Sequence, residues 1–179
     1  MRSAIEGVPF KSCAFTSPMW AIKLPRILHM IAPPVTGAAR TLGFGHRYAP
    51  GRNGDNETLE WSFEENEITG DADMFAHLQH VNREVEEHWI GGPTIGWLQQ
   101  ALQETKYLAK QPAPSLPCIT FSAELDQLVE NAAIEKRMKT WPDSTYNMIP
   151  AAKHDLLRAG PEIRSPVLAQ ICAFFEHAI

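Results

Sequence analysis

The pattern of apolar and polar positions divides the chain into three stretches of different texture. In residues 1–19 a helix end gives way to a short apolar run that draws on Val8, Cys13, Ala14 and Phe15. Its length and lack of alternation predict a buried strand over 13–17, broken at Ser17-Pro18. Residues 20–112 begin irregularly, punctuated by Pro25, Pro33, Pro34 and Pro50 and loosened by Gly37, Gly43, Gly45, Gly51 and Gly54. From Asp71 a helical period appears: Met74, Phe75, Leu78, Val81 and Val85 recur three or four apart, with Asp71 or Asp73 placed to cap the helix and Gly91-Gly92-Pro93 to end it. Thr94 is then the natural cap of a second helix holding Trp97, Leu98, Ala101, Leu102 and Leu108.

Residues 113–179 read differently. A stiff approach through Pro112, Pro114 and Pro117 leads into the strand-like run 118–123, a loop with Asp126, and a helix near 131–140. A second strand-like run at 146–149 is followed by a loop with His154. A last helix from about 164 to 178 carries Val167, Leu168, Ile171, Phe174 and Phe175 on one face. Strand, helix, strand, helix is the signature of a parallel sheet in an α/β layer fold. No stretch approaches the roughly 18 consecutive apolar residues of a membrane span.

Composition narrows the classes. The 179 residues carry 16 Lys or Arg and 21 Asp or Glu, a net charge of −5, which disfavours a generic nucleic-acid binder. Cys13, Cys118 and Cys172 are odd in number and widely spaced. That pattern argues for buried reduced thiols in a cytoplasmic protein rather than for a disulfide framework. The first residues lack the long apolar run of a signal peptide.

The chemistry gathers in the last third. Right-handed crossovers make the two late strands neighbours, so the loops bearing Asp126 and His154 leave the same carboxyl edge of the sheet. An Asp bound to one imidazole nitrogen fixes the tautomer and leaves the other nitrogen to act as a base toward a nucleophile. The plain alternative is that Asp126 caps a turn or helix and His154 is a solvated loop residue. Ser17 and Ser122, each at a strand end, are the local hydroxyls, though neither sits in a strained elbow with oxyanion donors beside it. His77, His80, Glu84 and His88 fall near one face of the helix that begins at Asp71. That spacing suits a metal but reads more simply as a polar, solvated face. The Gly-rich run 91–96 lacks the Lys of a phosphate loop and reads as a packed turn. Trp20, Trp61, Trp89 and Trp97 suit either an apolar slot or core packing.

The segments SAELDQLVEN, IPAAKHDLLRAGPEIR and ICAFFEHA resemble the C-terminal third of the α/β-hydrolases. More narrowly they are similar to the lysophospholipase and monoglyceride-lipase-like group, also described as the serine aminopeptidase-like hydrolases. Asp126 stands in the D-x-x-V context of that family's triad acid, with Val129 in place. His154 stands in its His context, followed by Asp155, Leu156 and Leu157 and later Arg164. FTSPMW at 15–20, NEITGD at 66–71 and GGPTIGWLQQAL at 91–102 resemble the strand end and lid of the same group; Ala159 departs from it where many relatives carry Glu.

The resemblance implies an α/β fold: the C-terminal part of an α/β-hydrolase parallel sheet with an inserted helical lid. Residues 1–19 would hold the end of the nucleophile helix and one core strand, 20–112 the lid, and 113–179 the core with the acid and His loops. It implies a serine hydrolase of the lysophospholipase or carboxylic-ester class, with a small lipid or ester as substrate and no metal or organic cofactor. Peripheral membrane contact and the oligomeric state are left open. The family's serine lies in a G-x-S-x-G elbow that precedes the acid and the His, and this sequence contains none. The chain is therefore expected to be an N-terminally truncated piece, with Met1 inside the nucleophile helix, inactive and marginally stable alone. The alternative is a non-catalytic remnant, or a fragment that binds a complementary chain.

Overall fold

The computed structural model describes residues 1–177. Its elements, in order, are α1 (Arg2–Ile5), β1 (Cys13–Thr16), α2 (Arg26–Thr41), α3 (Glu57–Glu60), α4 (Ala72–Glu84), α5 (Ile95–Lys110), β2 (Cys118–Ala123), α6 (Asn131–Met138), β3 (Ser144–Ile149) and α7 (Pro161–His177). Short 3₁₀ turns cover Phe44–His46, Glu86–His88 and Leu156–Arg158. The three strands form one parallel sheet in the order β1-β2-β3, in register Cys13 with Cys118 and Cys118 with Ser144. All six residues of β2 are buried, as a strand paired on both edges and covered on both faces must be.

The period of two along β2 separates the core into two halves. Cys118 packs with Trp20, Val129, Ile134, Met138 and Trp141 on the α6 side. Ile119, Phe121 and Ala123 pack with Ala152, Leu156 and Val167 on the α7 side. The chain is thus a helix–sheet–helix sandwich, with α2 to α5 inserted between β1 and β2.

Several boundaries differ from the sequence expectation. Residues 20–70 are not merely irregular: α2 runs through Pro33 and Pro34. The two carbonyls those prolines leave unbonded belong to His29 and Met30, which are exposed, so water can take them. The helix at Asp71 is capped by Asp71, whose carboxylate accepts from Met74 N at 2.8 Å, but it stops at Glu84 and not at Gly91. There the Trp89 indole donates to the Asn82 carbonyl at 2.7 Å, taking a helix-end acceptor, and the chain turns into the 3₁₀ segment. α7 starts at Pro161, three residues earlier than expected, because proline suits the first helical position. Val8 is exposed and stands outside β1, and Cys172 is exposed on α7 rather than buried. Trp20 belongs to the core, stacked on Trp141 at 6.1 Å with Phe15 edge-on at 5.5 Å, and is not grouped with the other insertion tryptophans.

Candidate active site

The acid loop begins where β2 ends. Asp126 N bonds back to Ala123 O at 3.2 Å, and one carboxylate oxygen then accepts from Leu128 N at 2.8 Å and Val129 N at 3.0 Å. This turn holds the carboxylate rigidly, and the Asp126 side chain is 0% exposed. Segments on both sides clamp the loop. Residues 21–23 pair antiparallel with 128–130 through Ile22 and Val129, and Lys23 Nζ donates to the Asp126 carbonyl at 2.7 Å. On the other side Glu124 N donates to Ile149 O at 3.0 Å and Leu125 N to Ala152 O at 2.9 Å.

The His loop leaves β3 through Ala151, whose φ of 56° is a left-handed turn uncommon for a residue with a Cβ. The Glu124 carboxylate accepts from Ala151 N at 2.9 Å. The next residues lie on a platform formed by 66–69. His154 N reaches Glu67 O at 3.4 Å, Asp155 N reaches Ile68 O at 2.9 Å, and Lys153 Nζ donates to Asn66 O at 2.7 Å. Thr69 Oγ1 donates to Arg158 O at 2.8 Å. Asn66, buried, keeps the platform folded by accepting from Ile68 N and Thr69 N at 3.1 and 2.9 Å.

These two loops bring Asp126 and His154 together. His154 Nδ1 lies 2.7 Å from the second oxygen of Asp126, and the imidazole is 26% exposed. Burial pushes the Asp126 carboxyl upward. The hydrogen bond with His154 and those from Val129 N and Leu128 N outweigh it, and the group sits below its ordinary value. An ionised Asp126 fixes the proton on Nδ1, so Nε2 keeps the free lone pair.

The remaining candidates sit elsewhere. Ser17 follows β1 at φ 43°, buried, and its hydroxyl has no hydrogen-bond partner among the described residues. Ser122 is fully buried and shares a 2.7 Å hydrogen bond with Tyr146 OH, a structural use of its hydroxyl. His77, His80 and Glu84 are exposed on α4, and the side chain of His88 lies outside the described residues. Among the described residues, no three His, Cys, Asp or Glu side chains converge to hold a metal. The Gly-rich run packs against residues 45–54: Tyr48 pairs with Thr94, and a Cβ at Gly96 would stand 2.9 Å from the Gly45 carbonyl oxygen.

Sequence reading missed the supporting residues Lys23, Asn66 and Lys153. Asn66 has an Asx-turn signal two and three residues before Ile68 and Thr69, but its service to a loop 87 residues away carries no local mark.

No protein-family model matches the chain. Over 136 residues it is 29% identical to the "Probable lysophospholipase L2" of Haemophilus influenzae, a match covering 75% of this chain and 42% of that protein. Its fold is similar to that of a soluble variant of monoglyceride lipase from Saccharomyces cerevisiae, solved with a substrate analog (TM-score 0.64, 16% identity, 93% of this chain and 55% of that one). It is equally similar to the monoacylglycerol lipase of Paleococcus ferrophilus (TM-score 0.66, 14% identity, 98% and 63%). A thermostable carboxyl esterase from Bacillus coagulans follows (TM-score 0.62, 16% identity, 98% and 59%). The fold is that of the α/β-hydrolases, and the chain spans about two fifths to three fifths of the length of these relatives.

Proposed function

We propose that Asp126 and His154 are the acid and the base of a serine hydrolase acting on carboxylic esters of the lysophospholipid or monoacylglycerol class. The observation that carries this reading is the 2.7 Å bond between a fully buried carboxylate and a part-exposed imidazole at the carboxyl edge of the sheet. In this scheme His154 Nε2 takes the serine Oγ proton as the oxygen attacks the ester carbonyl. It then returns the proton to the departing alkoxide, and a water repeats the cycle to release the acid. Asp126 stabilises the imidazolium formed between the two transfers. Residues 20–112 act as a helical lid over the acyl chain. The serine is carried by a segment outside these 179 residues, which contain no G-x-S-x-G. Little turnover is expected from the acid–base pair without the nucleophile and its oxyanion donors.

The second reading is a chain that works only as a docking fragment for a complementary piece. It is favoured by β1, an apolar strand whose outer edge is unpaired among the described residues.

The test compares the 179-residue chain with a longer chain read in frame through a G-x-S-x-G, using monoacylglycerol and lysophosphatidylcholine as substrates. The short chain should be inert and unlabelled by a fluorophosphonate. The longer one should hydrolyse ester, and His154→Ala should abolish it. Full activity in that variant would sink the proposal.

A further inference from the structure

Three bonds lace the start of the acid loop to the start of the His loop. Two are backbone bonds, Glu124 N to Ile149 O at 3.0 Å and Leu125 N to Ala152 O at 2.9 Å. The third is made by a side chain: the Glu124 carboxylate accepts from Ala151 N at 2.9 Å. Asp126 follows the lacing by one residue on one loop, and His154 follows it by two on the other. The geometry of the lacing therefore passes to the pair through very little chain.

The lacing closes on a conformation that the local sequence does not favour. Proline followed by a residue of positive φ marks a type II turn, whose third position belongs to glycine or asparagine. Here Pro150 is followed by Ala151 at φ 56°. Ala151 is exposed, so packing does not call for its methyl. A residue with a Cβ keeps a left-handed φ only where its surroundings enforce it. The surroundings that do so come from one residue. The first carbonyl of the turn, Ile149 O, accepts from Glu124 N, and the N–H of its third residue donates to the Glu124 carboxylate. A carboxylate acceptor makes the stronger class of hydrogen bond.

The far side of the His loop rests on the 66–69 platform, where His154 N reaches Glu67 O only at 3.4 Å. The near side rests on Glu124. If Ala151 relaxed to a negative φ, the loop would leave β3 in another direction. The 2.7 Å bond from His154 Nδ1 would be lost, while Asp126 would stay fixed by Leu128 N and Val129 N.

We propose that Glu124 is a positioning residue: its carboxylate holds Ala151 in the left-handed turn that aims His154 at Asp126. The inference rests on the acid–base reading of that pair, and Glu124 acts through the turn and on no reacting atom.

The experiment is NMR of the 179-residue chain labelled with ¹⁵N-histidine, reading the exchange with water of the His154 Nδ1 proton. Glu124→Ala should speed that exchange by about tenfold, with the Leu128 and Val129 amides unmoved. Glu124→Gln, whose side-chain oxygen still accepts from Ala151 N, should stay within about twofold of the parent. Ala151→Gly should make the carboxylate dispensable, because glycine enters a positive φ without steric cost; adding Glu124→Ala to it should change the rate by about twofold or less. In a longer chain carrying the serine, Glu124→Ala should lower kcat by about tenfold at unchanged KM. The proposal is overturned if Glu124→Ala leaves the His154 proton as protected as in the parent, if Glu124→Gln fails as badly as Glu124→Ala, or if Glu124→Ala costs as much with Ala151→Gly as without it. It is also overturned if Glu124→Ala exposes Leu128 and Val129 equally, which would make Glu124 a support of the fold alone, or if kcat holds while KM rises. A parent chain with no protected Nδ1 proton refutes the acid–base pair and this inference with it. A protected proton indifferent to Glu124 refutes the positioning role alone.

Discussion

At the scale of single residues the site is built by satisfying one buried carboxylate three times. Asp126 accepts from two backbone N–H groups and from His154, and those bonds hold it ionised despite burial. A carboxyl depressed on folding contributes stability that is present above its ordinary value of 3.8 and is lost as pH falls through the lower folded value. Asp126→Asn keeps an oxygen for the two N–H groups but sets an amide nitrogen against His154 Nδ1. It should cost about 1–3 kcal/mol in urea unfolding near neutral pH. The gap between variant and parent should narrow in acid, below about pH 4, where the parent carboxylate itself takes a proton. A gap that stayed constant down to acid would mean that the ionised form does not matter to the fold. Asn66→Ala removes the acceptor that folds the platform under the His loop, and should cost a similar 1–3 kcal/mol. Its specific signature is faster amide exchange at His154 and Asp155, which bond to that platform, with Leu128 and Val129 unaffected.

At the scale of elements, what was legible from sequence is what short-range physics determines. The run 118–123 reads as a strand because all six positions are buried; the Thr94 cap reads directly and the other was narrowed to Asp71 or Asp73, of which Asp71 serves, because a cap bonds within three residues. The meeting of Asp126 with His154 was legible because parallel neighbours put their loops on one edge. α2 was not legible: two prolines look like a stop, and only its place against α5, with His29 and Met30 exposed, lets them stand. The end of α4 was hidden for the same reason, since it depends on one indole reaching back seven residues. The Gly-rich run supplies an element-scale test. Gly96→Ala would set a methyl 2.9 Å from the Gly45 carbonyl oxygen, a backbone atom that cannot swing aside, and should lower the melting temperature by several degrees, about 1–3 kcal/mol. Gly70 has open space around its Cβ position and no left-handed φ. Gly70→Ala should therefore be neutral or stabilising by about 0.4–1 kcal/mol. Equal melts for the two variants would refute the packing argument.

At the scale of the molecule the decisive feature is the outer edge of β1. Cys13 N bonds to Pro117 O and Ser17 N to Phe121 O, so the alternation of a parallel ladder turns the N–H groups of Ala14 and Thr16 away from β2. Those groups face no strand among the described residues, while the same strand carries Phe15 into the aromatic cluster with Trp20 and Trp141. An edge of this kind is a template for another strand, whether from a second copy or from a complementary chain. The 179-residue chain should consequently self-associate as its concentration rises, seen by light scattering after size exclusion. Thr16→Pro removes one outward N–H without touching the ladder to β2, so it should reduce that association while the near-ultraviolet spectrum of the tryptophan cluster stays the same. The same substitution in a longer chain carrying the serine should impair folding and ester turnover, because there the outer edge would hold a neighbouring strand. If Thr16→Pro changed neither the scattering of the short chain nor the folding of the long one, the edge would not be a pairing surface. The docking-fragment reading would then lose its support. The Asp126–His154 reading would be untouched, since that pair is held by the loops after β2 and β3 and not by the edge of β1.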